Sequence, residues 1–177
     1  MDAVVPARRL HTRGGFWALP SSVVEKSWRS QWDRLVDQVR LSDHLTLYRA
    51  VEEGVPAITV ILLSKALSEP APSVLDIIGL PETTYLRKAK AGEVLPDAAG
   101  HRTVALMRVV ATLRQLLEES GDAEQVKDFD LESWVSTWIR TPLPELGGAT
   151  PAALLRNPDG QRVVETLLER MRGGLVA

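Results

Sequence analysis

Cysteine is absent from the 177-residue chain and histidine occurs only three times, and these shortages exclude several kinds of chemistry. A chain without cysteine can form no disulfide framework, no thiolate zinc site and no thiol nucleophile. His11, His44 and His101 stand neither at i, i+4 from one another nor beside carboxylates at metal-ligand spacing. We interpret them as surface or helix-capping residues, and we expect neither a metal nor a cofactor.

Common catalytic and nucleotide-binding motifs are missing as well. The sequence contains no GxGxxG, no GxxxxGK(S/T) and no GxSxG. The glycine pairs Gly14-Gly15 and Gly147-Gly148 lack the strand-then-helix context of a phosphate loop. The sequence therefore predicts a protein that is not an enzyme.

The sequence also lacks long apolar runs and an excess of charge of one sign. The longest apolar run, residues 58–63, is interrupted by Thr59 and is far too short to cross a bilayer. Arg8 and Arg9 are not followed by an apolar segment, so we expect no secretory signal. The 21 basic and 23 acidic residues nearly balance, so any nucleic-acid contact must be local. We expect a cytoplasmic protein with no membrane partner.

Proline and glycine divide the sequence into intervals whose apolar residues recur every three or four positions, and no segment shows sustained period-two alternation. The sequence therefore predicts an all-α fold. One helix is expected over about 22–41, where Ser22 and Glu25 have the spacing of a capping box. A long central helix is expected over 102–119. Three more helices are expected after Asp130, Thr150 and Asn157, the last ending at Gly173. The first of these three has its apolar positions at Leu131, Trp134, Val135 and Trp138.

Residues 73–91 have the layout of a helix-turn-helix. A short helix over 73–78, a turn at Gly79-Leu80-Pro81 and a second helix over 82–91 are predicted. In DNA-binding proteins of this kind the second helix lies in the major groove, where hydroxyls and cations contact bases and phosphates. An ordinary helical hairpin with a solvated polar face explains the same spacing equally well. The candidate DNA-contacting residues are Thr83, Thr84, Arg87, Lys88 and Lys90.

A resemblance to a known family rests mainly on the C-terminal block WIRTPLPELGGATPAALLRNPDGQRVVETLLERMRGGLVA. This block follows the pattern W-x3-P-x3-LGG-x2-P-x2-LL, then G-x3-V and a final glycine pair. Together with LPETTYLRKAKAGEVLP and the long helix over 104–117, it resembles the Xre/MbcA/ParS antitoxin family, partners of RES-domain toxins. The likeness runs from about residue 44 to residue 177. The matching residues are Trp138, Pro142, Leu146, Gly147, Gly148, Pro151, Leu154, Leu155, Gly160, Val164, Leu168, Gly173 and Gly174.

The resemblance implies a type II antitoxin whose C-terminal end enters the active site of a toxin that consumes NAD or transfers ADP-ribose. It also implies that the helix over 82–91 binds operator DNA and autoregulates the operon. The family often has a denser Arg/Lys run there, whereas this chain has Pro81 at the capping position and Glu82 after it. From the residues alone, the segment after Met171 is either a frayed tail or one ordered by a partner. The residues implied to bind the toxin are Arg170, Arg172, Gly173, Gly174, Leu175, Val176 and Ala177.

Three parts are expected: an N-terminal helical extension (1–43), a helix-turn-helix domain (44–120) and a toxin-binding domain (121–177). The extension carries an apolar stripe at helical spacing that must be covered. We expect it to pack on the helix-turn-helix domain, with a dimerisation arm or an added toxin contact as alternatives. The stripe consists of Trp28, Trp32, Leu35, Val36 and Val39.

Two functions remain open from the sequence. The first is a non-enzymatic antitoxin that blocks a RES-domain toxin and binds its own promoter. The second is a transcription regulator whose C-terminal block is only a dimerisation module. Both predict a homodimer, because one helix-turn-helix usually reads half of a palindromic site, and the first places that dimer within a hetero-oligomeric complex.

Overall fold

A computed structural model describes residues 15–19, 26–119 and 129–174 of the chain. Within these ranges the chain forms helices and no strand, and an isolated β-bridge joins Pro56 and Val94. The all-α class is therefore confirmed. The helices are α1 (Trp28–Leu41), α2 (His44–Glu53), α3 (Thr59–Ala66), α4 (Ala71–Ile78), α5 (Glu82–Ala91), α6 (Asp97–Glu119), α7 (Leu131–Trp138), α8 (Pro151–Leu154) and α9 (Pro158–Arg172), with a 3-10 turn at Pro144–Leu146.

Local side-chain caps start the C-terminal helices as predicted. The Asp130 carboxylate accepts a hydrogen bond from the Ser133 amide, the Thr150 hydroxyl accepts one from Ala153, and the Asn157 side chain accepts one from Gly160. These acceptors satisfy amide groups that have no partner within the first helical turn. Gly173 follows the last residue of α9, which confirms the predicted helix end.

Two predicted helix starts are wrong. Helix α1 begins at Trp28, because Lys26 and Ser27 form a turn; the predicted cap at residues 22 and 25 lies outside the described residues. Helix α6 begins at Asp97 and runs through Gly100, five residues before the predicted start at 102. Gly100 is buried, and a Cβ there would lie 3.1 Å from the Val55 side chain, so this glycine permits close packing of α6 against the link between α2 and α3.

Helix α6 is the centre of the molecule. It packs against α1, α2, α4, α7 and α9, and its residues on the inner faces are fully or almost fully buried. One continuous hydrophobic core includes residues on both sides of positions 43 and 120. The division into three parts at these positions therefore stays a prediction. The buried α6 side chains include Leu106, Met107, Val109, Val110 and Leu113.

The N-terminal helix belongs to this core. Helix α1 packs on α6 and α3, which bears out the expected packing of its apolar stripe. Trp32 is 1% exposed, and burying a side chain of this size contributes strongly to folding. Among the described helices, none is long and apolar enough to cross a bilayer.

Candidate functional site

Helix α9 carries two of the residues implied to bind the toxin, Arg170 and Arg172, and leads directly to two more, Gly173 and Gly174. Its inner face is fixed on the core by Val164, Leu167 and Leu168. Val163, Thr166 and Arg170 are exposed at intervals of three and four residues, so they form one outward face that leads to the helix end. A rigid helix thus presents a continuous exposed surface that ends where the predicted tail begins.

The last residue of α9 is held by the last residue of α6. Arg172 donates from Nε to Oε2 of Glu119 at 2.9 Å and from Nη2 to Oε1 at 2.6 Å. Gln115, one turn earlier on α6, donates to Oε1 of the same carboxylate at 2.8 Å. The Gln115 hydrogen bond, followed by the Arg172 pair, lowers the pKa of Glu119 below its usual range. Arg170 and Arg172 are both exposed, and they differ in that Arg172 is bound to Glu119 within the chain.

The tail itself is only partly described. Gly173 and Gly174 are exposed, and Gly174 adopts a positive φ of 66°. The predicted contacts of Leu175, Val176 and Ala177 lie outside the described residues. The structure thus brings Arg170, Arg172, Gly173 and Gly174 together at one end of α9.

An exposed aromatic group on α7 is a surface that the sequence analysis did not single out. Trp134, predicted on the apolar face, is 37% exposed. Its ring stacks on Trp138 with the ring centroids 5.9 Å apart, and its centroid lies 6.3 Å from that of Phe129. Phe129 is exposed as well. Trp138 instead faces the core, so it acts as the anchor of this group. Exposed aromatic clusters are typical of contact surfaces, and the Trp pair at i, i+4 was the available signal.

The turns of the C-terminal block explain its glycines. Gly147 and Gly148 have φ of 64° and 82°, which close the short turn between α7 and α8 at little steric cost. A Cβ at Gly160 would lie 2.1 Å from the Leu154 carbonyl oxygen, because α9 begins directly against α8. These positions are accounted for by backbone geometry alone.

The helices of the predicted helix-turn-helix layout are present as α4, the turn at 79–81 and α5, although α4 begins at Ala71, two residues before the predicted start at 73. Tyr85 anchors α5 as its one buried residue. The five candidate DNA-contacting residues all lie on this helix, which the sequence had delimited correctly. Thr83, Arg87 and Lys90 are exposed at intervals of four and three, so they share a face, whereas Thr84 and Lys88 are half-buried beside it.

A carboxylate that the sequence analysis overlooked lies against two of these cations. Oε2 of Glu93 is 3.3 Å from Nζ of Lys88 and 3.5 Å from Nη1 of Arg87. The Glu93 side chain is 12% exposed and Lys88 18%, whereas Arg87 is 63% exposed. Lys88 is therefore held inside the fold, and Arg87 and Lys90 are the cations that remain accessible on α5.

Metal-ligating side chains are not clustered in the described part of the chain. No three His, Asp or Glu side chains among residues 15–19, 26–119 and 129–174 are grouped so that they could hold a metal ion. A cleft of about 250 Å³ lies between α6 and α9. Arg108 and Glu165 in its wall pair at 2.8 Å, so they neutralise each other.

Comparison with known proteins identifies the C-terminal block. Residues 129–174 match the family described as the antitoxin Xre/MbcA/ParS C-terminal toxin-binding domain. The chain is also 32% identical over 139 residues to a Prs ADP-ribosylating antitoxin from Sphingobium sp. (strain YBL2), an alignment that covers 74% of this chain and 86% of that protein. The matched block contains α7, α8 and α9, together with the aromatic group and Arg172, whose partner Glu119 precedes the match. The chain belongs to the Xre/MbcA/ParS antitoxin family, and it is an antitoxin with a toxin as its partner.

Proposed function

We propose that this antitoxin neutralises a RES-domain toxin, one that consumes NAD or transfers ADP-ribose, by placing its C-terminal end in the toxin's active site. The observation that carries the proposal is the end of α9. A well-packed helix within the toxin-binding match ends in exposed Gly173 and Gly174, after which the sequence continues with three apolar residues. The relative described as an ADP-ribosylating antitoxin supports an NAD-using toxin as the target.

Each part of the tail has a chemical role in this proposal. Glycines let a backbone pass through a narrow opening, because they lack a side chain. Leu175 and Val176 would fill apolar space in the cleft, and Arg170 would pair with acidic groups at its rim. The antitoxin acts by occupying the site and performs no catalysis itself.

The experiment is co-purification of the chain with the product of the neighbouring open reading frame. A full-length chain is compared with one that ends at Arg172, and Arg87→Ala with Lys90→Ala on α5 serves as a control away from α9. We expect the complex to form with the full chain and the control, and to be lost or greatly weakened with the shortened chain. A shortened chain that binds and protects fully would move the inhibitory contact to the surface of α7 and α9.

A second proposed activity is autoregulation through α5. Exposed Thr83, Arg87 and Lys90 on one face suit phosphate and base contacts, with Thr84 and Lys88 beside them. A homodimer within a hetero-oligomeric complex would present two such helices to the two halves of an operator. The cytoplasm, where operator DNA is found, is the compartment that this proposal requires.

The alternative function is transcription regulation alone, with the C-terminal block as a dimerisation module. The exposed aromatic group at Phe129 and Trp134 is the observation that favours it, because such a surface also suits contact with a second copy. Tight promoter binding without any stable protein partner would support this alternative, and a stable toxin complex would contradict it.

A further inference from the structure

The side-chain contacts between α6 and α9 follow both helices in the same direction. Near the start of the pair, Nε of Arg102 donates to the Arg156 carbonyl, just before α9 begins. Farther along, Arg108 pairs with Glu165 at 2.8 Å, and the two helix ends meet at Glu119 and Arg172. The helices therefore run roughly parallel, and both end at the same place.

Two ion pairs join α6 and α9, Arg108–Glu165 and Arg172–Glu119, and the second has the better geometry. Arg172 uses two nitrogens, Nε and Nη2, on the two oxygens of one carboxylate, a bidentate geometry that fixes orientation as well as distance. Gln115, one turn earlier on α6, donates to Oε1 of the same carboxylate. The Arg172 guanidinium is thus bound to α6, and Arg172 is the last helical residue before Gly173.

We propose that Arg172 is a positioning residue and that, with Glu119 and Gln115, it forms a brace that fixes the point and direction from which the C-terminal tail leaves the domain. The inference rests on the proposed function, since it assumes that this tail enters the toxin. It changes one assignment made from the family resemblance: Arg170 contacts the toxin, whereas Arg172 contacts Glu119. The amides of Gly173 and Gly174 donate to the carbonyls of Glu169 and Met171, so the brace and these two backbone hydrogen bonds together hold the start of the tail.

The brace matters for affinity because a short tail must be ordered when it binds. Fixing Arg172, the residue from which the tail starts, before the toxin binds reduces the conformational entropy lost on binding. This is how preorganisation raises affinity. The pair is exposed, at 54% for the Arg172 side chain and 41% for Glu119, so we expect it to contribute little to the stability of the whole fold. Affinity for the toxin and stability should therefore respond differently when it is broken.

The test measures the affinity of full-length antitoxin for its toxin in four variants. Glu119→Gln and Arg172→Gln each break the brace, and Glu119→Arg with Arg172→Glu restores it with the charges exchanged. Arg108→Gln is the matched control, because it breaks the other ion pair between α6 and α9 far from the tail. The melting temperature of each free variant and amide hydrogen exchange at residues 171–174 are recorded alongside.

We expect both single brace variants to bind the toxin about fivefold more weakly, with faster exchange at residues 171–174 and a melting temperature near that of the wild type. The exchanged pair should return to within about twofold of wild-type affinity, and Arg108→Gln should leave affinity unchanged. Recovery in the exchanged pair is the decisive result, since it requires a contact between the two side chains and no particular charge at position 172.

Other outcomes would overturn the inference in distinguishable ways. If Arg172→Gln weakens binding, Glu119→Gln does not, and the exchanged pair is worse than either, Arg172 contacts the toxin directly. If both single variants bind like the wild type while a chain ending at Arg172 does not bind, the tail functions without a brace and the proposed function stands. If the chain ending at Arg172 binds as well as the full chain, both the brace and the proposed function fail.

Discussion

The indole Nε1 of Trp32 donates a hydrogen bond to Oε1 of Glu132, 3.3 Å away, and so joins α1 to α7 across 100 residues of sequence. Arg114 of α6 pairs with the same Glu132 oxygen and, at 3.1 Å, with Asp33 of α1. Glu132 is nearly buried, so these contacts replace hydrogen bonds that its carboxylate would otherwise make to water. The N-terminal helix thereby supports the segment that matches the toxin-binding family.

Replacing Glu132 with alanine tests this support. The change leaves Arg114 and the Trp32 N–H without their shared acceptor, and we expect the free energy of unfolding to fall by about 2–4 kcal/mol. Urea denaturation measures the loss. Ser133→Ala, on the exposed side of the same helix, should change stability by less than about 0.5 kcal/mol. Equal effects of the two changes would mean that the network does not hold α7 in place.

Interactions between residues close in the sequence could be predicted from it, whereas contacts between distant helices could not. The caps at Asp130, Thr150 and Asn157 could be predicted because each depends on residues only three positions apart. The Trp32–Glu132 and Glu119–Arg172 contacts could not be predicted, because nothing in a periodic pattern says which helices pack side by side. The same limit explains the partial exposure of Trp134, which periodicity placed with the buried residues of α7.

Acid should weaken a second contact of α7. Glu69, at the end of the α3–α4 link, accepts a hydrogen bond from the Ser136 hydroxyl at 2.6 Å and faces Arg140 at 3.4 Å. The hydrogen bond from Ser136, and then the charge of Arg140, hold the pKa of Glu69 below its ordinary value of 4.5. Its contribution to stability is therefore complete above about pH 4.5 and is lost as the pH falls through the lowered pKa of the folded state.

Glu69→Gln should remove that part of the acid dependence. We expect the variant to be about 1 kcal/mol less stable near neutral pH and to lose less stability than the wild type between about pH 5 and pH 3. Thermal unfolding across this range gives the comparison. If wild type and variant fall in parallel, Glu69 does not titrate with folding.

Gly160 is expected to resist even the smallest side chain. Because its Cβ would lie 2.1 Å from the backbone oxygen of Leu154, alanine must push α9 away from α8. We expect Gly160→Ala to destabilise the fold by about 1–3 kcal/mol and to weaken toxin binding as well. Thr166→Ala on the exposed face of α9 is the stability control. Unchanged stability in Gly160→Ala would show that the start of α9 adjusts freely.

Glu93 should limit how strongly α5 binds DNA. Its carboxylate neutralises part of the charge of Arg87 and Lys88, so Glu93→Gln should raise the affinity for operator DNA. It should also steepen the salt dependence: the slope of log affinity against log salt concentration should change by up to about 0.9 for each added phosphate contact. Arg87→Ala with Lys90→Ala should instead abolish binding and leave toxin neutralisation intact. Titrations of labelled promoter DNA at several salt concentrations measure both. DNA affinity that is the same in all variants would place the contact outside α5.

The proposed function requires the C-terminal end of the chain to block an NAD-using toxin. The most direct measurement is NAD turnover by the purified toxin at increasing concentrations of either full-length antitoxin or a chain that ends at Arg172, with circular dichroism to establish that the shortened chain is folded. If the tail occupies the active site, the full chain inhibits completely at a stoichiometric ratio and the shortened chain inhibits little or not at all. Equal inhibition by a folded chain that lacks residues 173–177 would contradict it.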